Sequence, residues 1–379
     1  MCKNIIFLQV PPWDSLWTRQ NHFSLLFSEN NYQILYVEAN KSFFKNFFIK
    51  NYFYSVRIKK VSANINVLSI PFLLPGSKYF DLIANINAKI QTHYILNWLK
   101  ENNWNNYNCW CRVPISYFSV KKLNPKKIYY DVTDDYKLYE RNFFSKKQVI
   151  RREYMLSNIS DKIFITNKIL SDNNAFNPKK ISYIPNGFKK SFFNKNFIDK
   201  VKNLNTLITN SKKPVIAYIG LISYWMDFEL LEELDKEFPQ NLVFIGPINN
   251  NIKSKLKNLN NIKFLGKIEQ ANLKNYLKEI DILIIPQVKS ELRKKSNPLK
   301  FWEYLATGKP IVTIPFPVIK NFKNLVYVSD TNDKFIQNIY KAINNIGKDK
   351  LANERILLSE KYTWKNIFYR KLLTNIENE

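Results

Sequence analysis

Short apolar runs, most of them closed by glycine or proline and followed by a helix-like stretch, recur through the second half of this chain. Val215–Ile219 ends at Gly220, Leu242–Ile245 at Gly246, Ile262–Leu265 at Gly266 and Ile282–Ile285 at Pro286; Ile311–Ile314 and Leu325–Val328 follow. Such runs read as strands buried on both faces, and strands alternating with helices build a parallel sheet. The first half keeps the same rhythm. Strands are expected at Asn4–Val10, Ile34–Glu38, Asn66–Ile70, Tyr107–Arg112, Lys127–Asp131, Lys162–Thr166 and Ile181–Pro185. Helices are expected from about Gln20, over Lys78–Lys100 and over Ser145–Ser157. In the Lys78–Lys100 helix, Tyr79, Leu82, Ile83, Ile86, Ile90, Tyr94 and Trp98 follow the helical period and mark its apolar face. A length of 379 residues suits two domains, and the polar, weakly patterned Lys195–Lys213 is the expected linker region. The fold class is α/β.

One stretch is punctuated more completely than any other: Ser296-Asn297-Pro298-Leu299-Lys300-Phe301-Trp302-Glu303, running on to Gly308-Lys309-Pro310. Ser296 or Asn297 suits the N-cap, Pro298 the first helical position, and Gly308 the C-terminal cap. Its first turn carries the wrong charge. Arg293, Lys294 and Lys295 precede it and Lys300 lies within it, where the helix dipole favours anions by roughly 0.3–1 kcal/mol. A bound phosphate would resolve the conflict, with Lys300 as a point charge. The plainer reading is a Lys300–Glu303 pair at the surface beside a solvated basic run.

Only 7 glycines occur in the chain, so those at strand ends mark places where a side chain is intolerable; Gly220 is the foremost ligand position. In the first half, the loop after the opening strand holds Trp13, Asp14, Trp17, Arg19 and His22, and loops after parallel strands face the ligand crevice. Asp131, Asp134 and Asp135 close a buried strand, where carboxylates are costly without a task. General-base chemistry on a hydroxyl is one such task, and capping of the next helix by Asp134 or Asp135 is the structural alternative.

The cysteines Cys2, Cys109 and Cys111 cannot form a disulfide framework, and His22 and His93 are too few for a histidine metal cluster. No apolar run approaches a membrane span, and Met1–Val10 lacks the pattern of a signal peptide. A cytoplasmic protein is expected. The net charge of +27 calls for anionic partners: nucleic acid, an anionic membrane surface or phosphorylated substrates. Lysines spread over the whole chain, without a nucleic-acid motif, argue against nucleic acid. Part of the excess fits a drift toward Lys, Asn, Ile, Phe and Tyr. In 43–60, Phe44, Phe48 and Tyr52 share a helical face, flanked by lysines such as Lys41 and Lys45, as in an interfacial helix on an anionic bilayer; the alternative is that these aromatics are core.

These pieces, in order, resemble GT-B fold glycosyltransferases of the group 1 type, and more closely the teichuronic-acid TuaH-like and GumK-like branch. The resemblance rests on Pro12-Trp13-Asp14 with Arg19, Tyr130-Asp131 to Asp135, Ile184-Pro185-Asn186-Gly187, Tyr218-Ile219-Gly220 with Trp225 and Asp227, and Asn297-Pro298-Leu299-Lys300 through Gly308-Lys309-Pro310. It implies two Rossmann-like domains facing a central cleft, about 1–195 for the acceptor and 196–359 for a nucleotide-sugar donor, with a helix at about 360–379 returning to the first. Lys300 then looks like the diphosphate-contacting lysine, Glu303 like the ribose-binding carboxylate and Gly220 like the glycine by the phosphates. Gln287 and Val288 look like nucleobase neighbours, Ser296 to Leu299 like the rest of the donor loop, and Trp13, Asp14 and Arg19 like acceptor or cleft residues. Such enzymes need neither a bound metal nor a cofactor beyond the donor substrate. One departure stands out: where many relatives carry a sugar-contacting glutamate eight positions before Glu303, this chain has Lys295, and Glu291 is out of register. Asn297 is a substitute for that contact.

The expected function is sugar transfer from a nucleotide diphosphate to a lipid-linked or growing surface glycan, peripherally at the inner face of the cell membrane. Asp134 is the first choice of base, with Asp131 and Asp135 in reserve. The alternative is a non-catalytic GT-B-like protein that binds anionic membrane or polyanion.

Overall fold

The computed structural model describes residues 3–39, 56–70, 73–190 and 214–377. Most of the aromatic segment 43–60 and the expected linker Lys195–Lys213 lie outside them. The chain divides into two compact units, residues 1–185 with 367–379, and residues 186–366. The division falls at Pro185, ahead of the polar stretch expected to mark it.

The first unit contains β1 (Asn4–Val10), α1 (Arg19–Glu29), β2 (Gln33–Glu38), β3 (Arg57–Ser62), β4 (Ile65–Ser69), α2 (Asp81–Glu101), β5 (Asn108–Cys111), α3 (Ser116–Leu123), β6 (Ile128–Val132), α4 (Phe143–Ile159), β7 (Lys162–Ile165) and β8 (Ile181–Tyr183). They form an eight-stranded sheet in the order β3-β4-β2-β1-β5-β6-β7-β8. All neighbours run parallel except β3, which pairs antiparallel with β4. The basic residues Arg57, Lys59 and Lys60, which close the segment 43–60, thus belong to an exposed edge strand, where charge discourages pairing with another chain.

The expected apolar face of α2 is buried only toward its end, where Trp98 enters the core and Tyr94 packs on it. Leu82 is 72% exposed and Ile86 and Tyr79 are also exposed, while Ala84, Asn87, Ala88, Gln91 and Thr92 are buried with Ile95, Trp98 and Leu99. Asn87 exchanges hydrogen bonds with the backbone of Leu74, and the Gln91 side-chain oxygen accepts from Ser119 at 2.7 Å, while its amide nitrogen has no partner among the described residues. Small residues and a partly hydrogen-bonded polar seam let α2 lie close on α3, and this outweighs the apolar period over the first half of the helix.

The second unit contains β9 (Ile216–Ile219), α5 (Phe228–Glu237), β10 (Leu242–Ile245), β11 (Lys263–Gly266), α6 (Gln270–Glu279), β12 (Ile282–Ile285), α7 (Leu299–Thr307), β13 (Ile311–Thr313), β14 (Tyr327–Val328), α8 (Asn332–Asn344) and α9 (Ala352–Glu360). Its six strands are all parallel, ordered β11-β10-β9-β12-β13-β14. Beyond α9 the chain turns helical again at Trp364, and residues 367–379 belong to the first unit. There Phe368 packs edge-on against Phe27 at 4.8 Å, and Ser182 donates to Asn375 at 2.7 Å.

In each sheet the winding reverses at one place, between β1 and β5 in the first unit and between β9 and β12 in the second. Loops leaving the carboxyl ends of such strands diverge and leave a crevice for ligands.

Candidate functional site

In the second unit, α7 is held against the end of β9. The Tyr304 hydroxyl accepts the Ile219 N–H at 2.8 Å and donates back to the Ile219 carbonyl at 3.3 Å. The first turn of α7 therefore opens beside the switch-point loop. Its cap lies one residue later than expected. Pro298, with ψ 127°, is itself the N-cap and Leu299 the first helical residue. Asn297 and Ser296 are engaged elsewhere: the Asn297 side-chain oxygen accepts the Trp302 indole N–H at 2.7 Å, its carbonyl accepts from Asn186 at 2.7 Å, and Ser296 donates to the Arg293 carbonyl. Among the described residues no side chain caps the helix, and no acid stands in its first turn. At the other end Gly308 adopts φ +73°, the left-handed cap expected of it.

Lys300 donates to the Tyr218 hydroxyl at 2.9 Å and lies 4.4 Å from the centre of that ring. Among the described residues no carboxylate forms an ion pair with it, so the plainer Lys300–Glu303 pairing is not made. Glu303 has no hydrogen-bond partner among those residues; burial raises its carboxyl above the ordinary range, and Lys300 opposes the rise. Gly220 has φ +141°, and a Cβ there would stand 2.2 Å from the Lys300 ammonium. The glycine is what lets the lysine lie over the loop. After β12, Gln287 is buried with its side-chain oxygen unsatisfied, and the Val288 N–H donates to the Trp225 carbonyl at 2.9 Å. Asp227 caps α5 by accepting the Leu230 N–H. Gly220 and Gln287 thus follow the two switch-point strands β9 and β12, and Lys300 reaches over Gly220 from the start of α7, bringing together a cation, a helix terminus and a close backbone approach.

The first-unit residues separate into support and surface. Arg19 and Asp131 are both buried and pair at 3.1 Å; Gln20 and Trp110 donate to the other Asp131 oxygen, and Arg19 donates to the Ile184 carbonyl. Burial pulls Arg19 below and Asp131 above their ordinary values, each opposed by the other's charge. This pair ties α1 to β6 and is closed to substrate, which corrects the reading of Arg19 as a cleft contact and of Asp131 as a reserve base. Trp13 is also packed away, edge-on to Tyr36 at 4.9 Å, whereas Asp14 is exposed and pairs with Lys59 at 2.8 Å. Asp135 is buried 3.5 Å from Lys137. Asp134 is partly exposed and accepts from Thr133 at 3.1 Å, without capping a helix.

Sequence reasoning passed over Arg112. It leaves β5 at the first unit's switch point, half-buried, and is surrounded by Tyr136, Asp134, Asp131 and Tyr139. Burial disfavours its charge, but those groups outweigh burial and hold its pKa above the ordinary value. The signal was present only as an arginine ending an apolar run.

Among the described residues no group of three His, Cys, Asp or Glu stands close enough to share a metal ion. A model of the family described as "Glycosyl transferases group 1" matches residues 213–345. TuaH of Bacillus subtilis (strain 168), described as a teichuronic acid biosynthesis glycosyltransferase, is 26% identical over 203 residues, 52% of this chain. The match spans only 50% of that relative's length. Three solved structures align over nearly the whole chain. A glycosyltransferase from Rickettsia africae ESF-5 is 15% identical over 99% of both chains, with a TM-score of 0.64. HepE from Anabaena, in complex with UDP and glucose, is 12% identical over 100% of both, with a TM-score of 0.65. Sucrose-phosphate synthase from Thermosynechococcus elongatus is 12% identical over 98% of this chain and 99% of its own, with a TM-score of 0.71. Two parallel sheets with these likenesses give the chain the GT-B fold, and the match to the group 1 glycosyl transferase model falls within its second unit.

Proposed function

We propose that this protein is a glycosyltransferase that moves a hexosyl group from a nucleoside diphosphate sugar to a lipid-linked or growing cell-surface glycan. The observation that carries the proposal is Lys300, without a carboxylate partner among the described residues, held over Gly220 at the start of α7. The UDP and glucose bound by HepE and the teichuronic acid role given to TuaH support the choice of donor and acceptor class.

In this reading the leaving diphosphate sits at the N-terminus of α7, and Lys300 neutralises charge developing on it as the glycosidic bond breaks. The role needs no metal or cofactor beyond the donor. Glu303 accepts from the ribose hydroxyls, Gln287 and Val288 border the base, and the unsatisfied Gln287 oxygen is available to a base N–H. Ser296 to Leu299 shape the donor loop. Asp134 removes the acceptor hydroxyl proton, its exposure suiting it better than Asp131 or Asp135.

A peripheral place on an anionic leaflet belongs to the same proposal. No helix among the described residues is long and apolar enough to cross a membrane. The exposed face of α4 interleaves Phe143, Phe144, Ile150 and Tyr154 with Lys146, Lys147 and Arg151, the pattern of an interfacial helix.

The test is a donor screen: purified protein with a panel of nucleotide sugars and a lipid-linked glycan acceptor, product read by mass. One donor should give product, Lys300→Ala should cut turnover at least about a hundredfold, as loss of transition-state charge stabilisation does, and Asp134→Asn should do likewise. A nucleotide sugar that yields product equally with Lys300→Ala sinks the donor-site assignment, and full activity of Asp134→Asn removes it as the base.

A further inference from the structure

At the carboxyl end of β5 a cavity of about 360 Å³ opens within the first unit, bounded by the turn after β5, the residues after β6, the first half of α4 and the approach to α2. Four ionisable side chains other than tyrosine line it, namely Lys78, Arg112, Glu140 and Arg152. Lys78 and Glu140 pair at 2.6 Å and cancel. Arg152 places both its Nε and Nη2 on a single oxygen of Asp81, at 3.0 and 2.8 Å, and Arg151 uses the same carboxylate, so two guanidinium groups share one negative charge. Burial and the neighbouring Arg151 push the Arg152 pKa down to about 10, the direction expected where a cation lacks compensation.

Arg112 has no hydrogen-bond acceptor and no ion pair among the described residues. Asp131 is already paired with Arg19 and Asp135 lies beside Lys137, while Glu153 on α4 is turned to Tyr130 and Asn173. Even with Asp134 set against Arg112, the Arg151–Arg152 surplus remains. A guanidinium group presents a planar fork of donors that matches an oxyanion at two points. The rest of the wall is apolar or aromatic, with Pro114, Val149, Tyr136 and Tyr139.

We propose that this cavity is a subsite for an anionic group of the acceptor, a carboxylate or phosphate oxyanion held between Arg112 and Arg152 with its apolar body along Val149 and the tyrosines. The inference rests on the acceptor reading above and makes it specific: the acceptor is acidic. Asp134, whose charge Arg112 senses, then stands beside the anchored acceptor.

The test titrates the full chain with methyl glucuronide, geranyl diphosphate and the neutral methyl glucoside, with UDP as a separate arm. The wild type should bind at least one acidic probe ten times more tightly than the glucoside. Arg112→Gln should remove that tenfold preference and leave UDP binding unchanged. Val149→Trp, at a partly exposed helix position, should abolish acidic-probe binding by filling the cavity, and it carries the test where Arg112→Gln fails to fold. Preference for the glucuronide assigns an acidic sugar; preference for geranyl diphosphate assigns the phosphate of a lipid carrier. The proposal is overturned if neither acidic probe outbinds the glucoside, or if both variants bind acidic probes as the wild type does. Loss of UDP binding alone would count against the donor reading and leave the subsite in place.

Discussion

A single methyl group on Gly220 would stand 2.2 Å from the Lys300 ammonium and on a backbone with φ +141°, so the glycine and the lysine act as one device. Removing a hydrogen bond to a charged group costs about 1.5–3 kcal/mol, which is roughly ten- to hundredfold in affinity. Gly220→Ala should therefore weaken nucleoside diphosphate binding by about that factor, and the double variant with Lys300→Ala should be no weaker than Lys300→Ala alone. Additive losses, read by calorimetry, would show that the two residues act separately. Glu303 sets a pH dependence. Its pKa is raised in the fold, so the folded chain holds a proton that the unfolded chain has released at the same pH, and this contribution to stability is lost as pH rises through the folded value. Nucleotide binding to the carboxylate has the opposite sign: affinity should rise with pH through the same window, and Glu303→Gln should flatten it. An unchanged pH profile in that variant would take Glu303 out of the ribose contact. Lys300 and Gly220 were legible because the helix is punctuated by Pro298 and Gly308 and glycine is rare. The Arg19–Asp131 pair was not, since its partners meet only when α1 folds over β6, and nothing in their spacing announces it. Arg112 acquires meaning only from the reversal of strand order beside β5.

At the scale of elements, strands were the legible part, because runs such as Ile282–Ile285 have no other use than a doubly covered sheet. Helix faces were less so. The apolar period of α2 points outward at Leu82 and Ile86, and the buried side is set by alanines and by amides that find partners only in the fold. The edge strand β3 was hidden because its exposed residues are basic rather than alternating. On α4 the exposed Phe143 and Phe144, at 73% and 70%, begin a face shared with Lys146 and Lys147. Replacing both phenylalanines with serine should reduce flotation with anionic liposomes several-fold and leave the melting temperature within about 1 °C, as surface changes away from packing do. Equal flotation of variant and wild type would move any membrane contact elsewhere.

For the whole molecule, a net charge of +27 is in keeping with the proposed anionic donor and acceptor. Each unit carries its own switch-point crevice. The second places Lys300 over Gly220 at the position proposed for the diphosphate, and the first gathers Arg112 and Arg152 around a cavity. The proposed donor site stands or falls on the nucleotide. Calorimetric titration of UDP, GDP, dTDP and ADP into wild type and Lys300→Ala, with melting temperatures recorded alongside, tests it most directly. One diphosphate should bind the wild type saturably and raise its melting temperature, and Lys300→Ala should weaken that binding at least about tenfold without loss of stability. Equal affinity of the two proteins for that diphosphate, or no binding by any of the four, would contradict the account.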